Sequence, residues 1–175
     1  MEQSQTPHST KLKNLSDLAS YVGKELGLTE WISIEQDRIN NFAETTEDRQ
    51  WIHIDAEKSA AFSPYKKTVA HGFLVLSLAS KISYDALSVD DIAMGVNYGL
   101  DKVRFPNATK SGAKIRGRVS LMEFDAFPGG AKYKVKIVFE IQGEEKPACV
   151  AEFLAMAYTP PCLTLINHAE EIVNK

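Results

Sequence analysis

Two side chains and one backbone position in this sequence have the types and spacing of acid–base machinery. Asp48 and His53 stand five positions apart in Asp48-Arg49-Gln50-Trp51-Ile52-His53-Ile54-Asp55, and Ala70-His71-Gly72-Phe73 follows, opening an apolar run with glycine. A carboxylate and an imidazole so spaced can converge on one water, each carrying half of its proton traffic, work typically worth ~10²–10⁴-fold per group. A backbone N–H at a helix start has no partner inside the helix and sits at the positive end of its dipole, which suits a developing oxyanion. Glycine there lets a ligand approach closely. Each residue also has a plainer reading. Asp48 is a common turn residue, His53 can be a structural histidine satisfied by backbone, and His71 can orient the loop or cap a helix. Gly72 can be a packing glycine, and Asp55 is most simply the N-cap of Ala56 to Ala61.

The elements that must position these groups follow from periodicity. Leu15, Leu18, Ala19, Val22 and Leu26 have helical spacing, with Gly27 as a stop, and predict a peripheral helix. Trp31 and Ser33 alternate with Ile32 and Ile34 as a short strand, and Ile39, Phe42 and Ala43 predict a helix after it. Asp48 to Asp55 then falls in a loop. Val69 to Ile82 has no clearly polar face and predicts a buried helix. Beyond it the period changes to two, in Ile115 to Leu121 and Tyr133 to Ile141, with Ile92 to Phe105 and Ala148 to Tyr158 as further strands. Pro128-Gly129-Gly130 and Gly143 to Pro147 supply the turns, so the strands form an antiparallel meander. A sheet with one buried helix on its face is an α+β plan.

Composition bounds the partners. The chain has 175 residues, 44% hydrophobic and 25% charged, enough for one core without disulfides or structural metal. A net charge of −3 and a pI near 5.8 leave no global basic field, so no nucleic-acid partner is expected. Cys149 and Cys162 form neither a disulfide framework nor a zinc motif and read as reduced thiols in a cytoplasmic protein. Residues 1–12 are polar, without the apolar core of a signal peptide, and no run is long enough to span a membrane. His53, His71, Asp48 and Asp55 are ordinary metal-ligand types, but their spacing matches no metal motif and no metal is expected.

Phe42 to Asp55, then Ala70-His71-Gly72-Phe73-Leu74, Arg104-Phe105-Pro106 and Gly112-Ala113-Lys114-Ile115-Arg116-Gly117, resemble the MaoC-like dehydratases of the hotdog superfamily. Within them the resemblance is to the branch containing nodulation protein N, and it runs from about Leu15 to Tyr158. It implies a single hotdog fold, an antiparallel sheet wrapped around a long central helix, over residues 13–160. A flexible N-terminal tail (1–12) and a C-terminal extension with a short helix (161–175) flank it. The implied activity is that of an (R)-specific enoyl-CoA hydratase or the reverse dehydratase, a hydro-lyase that adds water to trans-2-enoyl thioesters. Asp48 and His53 align with the family's catalytic pair, and Gly72 with the residue whose N–H binds the thioester carbonyl.

His71, Gln50, Trp51 and Ser80 complete the implied substrate site, Ser80 lining the acyl tunnel or bonding within its own helix. No cofactor is implied beyond the coenzyme A or acyl carrier protein thioester as substrate, and a homodimer or higher homo-oligomer is expected. Lys110, Lys114, Arg116 and Arg118 could meet coenzyme A phosphates or merely form the wet face of a strand. The chain departs from the family in two places. Gln50-Trp51-Ile52 replaces the Asn-Pro common between the catalytic pair, adding an indole that could narrow the pocket, and Glu47 stands where glycine is usual. An accessory acyl-thioester binder without turnover, or an acyl-CoA thioesterase, is the alternative reading.

Overall fold

The computed structural model describes residues 5–160; Cys162 and the expected C-terminal extension lie outside them. Eight strands form one sheet: β1 (His8–Leu12), β2 (Glu25–Leu28), β3 (Ile32–Ile34), β4 (Leu87–Val89), β5 (Met94–Arg104), β6 (Ala113–Phe127), β7 (Gly130–Ile141) and β8 (Cys149–Tyr158). Their order is β4-β1-β2-β6-β7-β8-β5, with β3 paired to β6. All pairs are antiparallel except β1 with β4. The helices are α1 (Gln36–Thr46), α2 (Trp51–Ile54), α3 (Ala56–Phe62), α4 (Gly72–Ser77) and α5 (Ala79–Ala86).

The α+β class is borne out, and the alternation read in β6 and β7 is the reason. Ile115, Val119, Leu121, Ile137 and Phe139 are buried on one face, where they meet Val75, Ala79 and Ile82 of the α4–α5 segment. The helical segment crosses β6 at Gly117, where a Cβ would overlap the Ile82 side chain. A glycine is therefore required for helix and strand to approach this closely. The tight β6–β7 hairpin turns at Gly129, which takes a left-handed φ of 82°.

Four expectations need correction. Leu15 to Leu26 is not an α-helix: a 3₁₀ helix covers only Leu15–Tyr21, and Gly27 lies inside β2. A Cβ on Gly27 would come within 2.7 Å of the His8 carbonyl, so close strand pairing selects the glycine, not a helix stop. Residues 8–12, expected in a tail, form β1 between β2 and β4. The helix read over Val69 to Ile82 starts at Gly72 and is divided into α4 and α5 at Leu78, and its surface is not wholly buried, since Phe73 is 70% exposed. Finally, β5 does not follow β6 in a meander; it pairs with β8 at the far edge of the sheet.

Candidate active site

The site is assembled where α1, α2 and the start of α4 meet. Helix α1 is amphipathic, with Ile39 and Ala43 in the core, and it ends at Glu47, whose φ of 61° is left-handed. That turn reverses the chain and leads into Asp48. The position usually held by glycine therefore needs the conformation glycine takes most readily, and Glu47 adopts it at a cost of about 1 kcal/mol. Asp48 to Gln50 is a loop, as expected, but Trp51–Ile54 is not: it forms α2, and this turn carries His53 inward until only 6% of the residue is exposed.

Four contacts set the chemistry of the two imidazoles. His53 Nδ1 lies 2.6 Å from the Val69 carbonyl oxygen, which can only accept, so Nδ1 carries the hydrogen and Nε2 presents a free lone pair. His71 Nε2 lies 2.9 Å from the backbone oxygen of Asp48 and donates to it by the same logic. The rings stack with centroids 3.7 Å apart, and Phe42 closes on His71 from 5.1 Å. Burial, with the neighbouring His71, pushes His53 below the ordinary histidine range, against the opposing effects of the Val69 bond and the Asp48 charge. His53 is thus a neutral imidazole at pH 7, available to take a proton. The Asp48 carboxylate is half-exposed and 4.0 Å from His71 Nε2.

Asp48, His53 and His71 each place one polar side-chain atom within 4.8 Å of the others. These are also the residues that could hold a metal. Each imidazole has one nitrogen engaged, His71 Nε2 by the Asp48 backbone and His53 Nδ1 by Val69. This leaves His53 Nε2, the Asp48 carboxylate and the buried His71 Nδ1, unpartnered among the described residues, as open donors. Asp55, the other candidate, caps α3, accepting from the Lys58 N–H at 2.8 Å.

Gly72 occupies the first position of α4, so its N–H has no acceptor within the helix. A Cβ there would sit 3.0 Å from the Phe105 ring. Further along the same helical segment, a groove lies between α4–α5 and β5. Leu76, Ser77, Leu100 and Phe153 line a cavity of about 370 Å³, and Tyr84, Val96 and Tyr133 line a second of about 390 Å³. Ser80 and Asn97 line both, and their side chains are joined by a 3.0 Å hydrogen bond at the neck. Ser80 therefore faces the groove and is not engaged by its own helix.

Other expected contributors lie elsewhere. Gln50 is an exposed N-cap of α2. Trp51 lines neither cavity, its ring covered by the Lys58 ammonium at 5.1 Å, so the indole does not narrow this groove. Arg116 and Arg118 are committed to Glu140, at 2.7 and 2.9 Å, and Arg118 also to Glu25, which makes them a structural ion-pair network. Lys110 and Lys114 are exposed. Two residues not singled out in the sequence reach the site from the side: Gln36 Nε2 donates to the His53 carbonyl at 2.7 Å, and Thr68 Oγ1 donates to Gln36 Oε1 at 2.5 Å.

Residues 17–138 match the MaoC like domain. The chain belongs to the MaoC-like dehydratase family. It is 38% identical over 141 residues to 3-hydroxyacyl-thioester dehydratase Z of Mycobacterium tuberculosis, covering 80% of this chain and 93% of that one. It is 39% identical over 151 residues to nodulation protein N of Rhizobium leguminosarum, covering 85% and 93%. Among solved structures, a MaoC-like dehydratase from Rhodospirillum rubrum superimposes with a TM-score of 0.68 at 20% identity, over 85% of this chain and 98% of its own. An (R)-hydratase from Pseudomonas aeruginosa gives 0.62 at 23%, over 79% and 82%. These two likenesses show the shared hotdog fold. The MaoC-like domain here thus brings Asp48, His53 and His71 together where α1, α2 and the start of α4 meet.

Proposed function

We infer that this MaoC-like protein is an (R)-specific hydro-lyase acting on enoyl and 3-hydroxyacyl thioesters. The observation that carries the reading is the clustering of Asp48, His53 and His71 within 4.8 Å, with His53 Nε2 left free by the bond from Nδ1 to Val69. In the hydration direction the Asp48 carboxylate orients a water against the β carbon. His53 Nε2 takes one proton as the water oxygen bonds that carbon. The π electrons pass to the thioester oxygen, where the Gly72 N–H stabilises the enolate. The imidazolium then returns the proton to the α carbon. Water is added as H and OH, and the reverse sequence removes it.

The groove gives the acyl chain a path past Leu76 and Leu100 to the Ser80–Asn97 neck. The relatives' names, a 3-hydroxyacyl-thioester dehydratase and an (R)-hydratase, agree with this substrate class. Coenzyme A or an acyl carrier protein supplies the thioester, and no further cofactor enters the steps.

Dimerisation follows from the same edge. Among the described residues, strand β5 pairs only with β8 and exposes Met94, Val96, Tyr98 and Leu100, with Tyr84, Phe73 and Phe105 exposed nearby. An 11-residue unpaired edge with apolar side chains is a template for a second strand, and a two-fold axis pairs it with its own copy. Light scattering should give a dimer, and Val96→Lys with Tyr98→Lys a monomer.

The activity is tested by following loss of the conjugated double bond of crotonyl-CoA and longer enoyl-CoAs. Wild-type protein should hydrate them, and Asp48→Asn should lower turnover by roughly 10²–10⁴-fold with the fold intact. Unchanged turnover in Asp48→Asn would remove the assignment.

A further inference from the structure

His53 can act as a base only if its ring is aimed, and the structure contains a closed circuit of hydrogen bonds that aims it. The ring donates from Nδ1 to the Val69 carbonyl at 2.6 Å. The backbone carbonyl of His53 itself accepts from Gln36 Nε2 at 2.7 Å. Gln36 Oε1 accepts from Thr68 Oγ1 at 2.5 Å, and Thr68 is the residue immediately before Val69. The circuit therefore runs from the His53 peptide through Gln36 and Thr68 to Val69 and back to the His53 ring. It fixes the backbone of the histidine relative to the one carbonyl that orients its side chain.

The orientation of the Gln36 amide is determined by its partners. Nε2 faces two oxygens, the His53 carbonyl and Asn40 Oδ1 at 2.9 Å, while Oε1 faces a hydroxyl. Flipping the amide would set Oε1 against a carbonyl that cannot donate. Thr68 is 3% exposed, so the hydroxyl has no bulk water to turn to. Backbone bonds hold the same segment from the other side, with Val69 N–H donating to Ile52 at 3.0 Å and Ser111 N–H to Thr68 at 2.9 Å. The Thr68 hydroxyl and Gln36 connect it to α1 by hydrogen bonding.

We propose that Gln36 and Thr68 are positioning residues that set the aim of His53. The proposal rests on the reading of His53 as the base, and it goes beyond that reading in assigning α1 a part in the reaction. A simpler role is available: Gln36 caps the last turn of α2, whose carbonyls have no partner inside so short a helix. The two differ in what the assay reads. Displacing a reacting group by an ångström costs up to about 10²-fold in rate, whereas a lost cap lowers stability alone.

The test uses Thr68→Val, which keeps shape and removes the hydroxyl, with Thr68→Ser as the conservative rescue and Gln36→Met cutting the same bond from α1. Steady-state kinetics on an enoyl-CoA substrate should show kcat lowered about tenfold in Thr68→Val and Gln36→Met, KM within about twofold, and Thr68→Ser close to wild type. In a His53→Ala background the Thr68→Val change should have no further effect on rate, because there is no imidazole left to aim. Full kcat in Thr68→Val or Gln36→Met with only a lowered melting temperature would overturn the proposal, as would a tenfold loss that persists in His53→Ala. Failure of the underlying reading has a different signature: His53→Ala alone would then retain wild-type turnover.

Discussion

The two ends of the candidate site are built differently. At one end His53 and His71 are buried, stacked, and bonded through Val69, Gln36 and the Asp48 backbone. At the other end β5 presents Val96, Tyr98 and Leu100 to solvent, and its Asn97 reaches across to Ser80. His53, the base of the proposed function, is held by this chain's own interior. The groove lies open to what binds there. Rate should therefore be sensitive to the histidine end, and substrate choice to the groove end.

The comparison breaks most visibly at the base. His53→Ala should lower kcat by roughly 10²–10⁴-fold, and Asp48→Asn by a similar factor, while saturated acyl-CoA binding, measured by calorimetry, stays within a few-fold. A Ser80→Phe substitution, which fills the neck between the two cavities, should instead leave short substrates nearly untouched. It should lower kcat/KM for long ones by about tenfold or more, read from a chain-length series.

A smaller effect comes from pH. His53 lies below its ordinary value of 6.5 because of burial, so the acid limb of kcat/KM should have its midpoint under about 6.5. The sign for stability is the same. As pH falls through that ordinary value the unfolded chain binds the proton before the folded one does, so stability declines below pH 6.5 until the folded-state value is reached. An acid limb above 7 would mean that His53 is not the base or is not buried in the working enzyme. The smallest effect concerns the turn into Asp48: Glu47→Gly should raise stability by about 1 kcal/mol, seen as a higher denaturation midpoint, because the left-handed φ is retained without a side chain to oppose it.

What the sequence made legible and what it hid divide along the same line. Asp48 and His53 could be singled out because acid–base chemistry needs such types at close spacing, and the structure brings them within 4.8 Å of each other and of His71. The β6–β7 hairpin could be read because alternation and turn residues agree. The Leu15 to Leu26 helix failed because the helical spacing of its leucines was overridden by tertiary pairing, which takes Glu25–Leu28 into the sheet through a glycine with no room for a side chain. Trp51 lines neither cavity, and its ring faces Lys58 on the next helix, a placement its neighbours in sequence do not indicate. Gln36 and Thr68 carried no signal at all: they are 32 positions apart and join only when α1 packs beside the Thr68–Val69 segment. An amide at a helix start and a threonine in a loop have no distinguishing pattern until that packing supplies partners. Arg116 and Arg118 were ambiguous for the complementary reason, since Glu25 and Glu140, which neutralise them, come from other strands.

The central claim is that a neutral, buried His53, aimed from within this chain, performs proton transfer on a thioester substrate. It is tested most directly by measuring crotonyl-CoA hydration in wild type and His53→Ala beside calorimetric binding of butyryl-CoA to each. The account predicts turnover in wild type, a loss of at least about 10²-fold in His53→Ala, and binding that is nearly equal in the two. Equal turnover in the two proteins would contradict it.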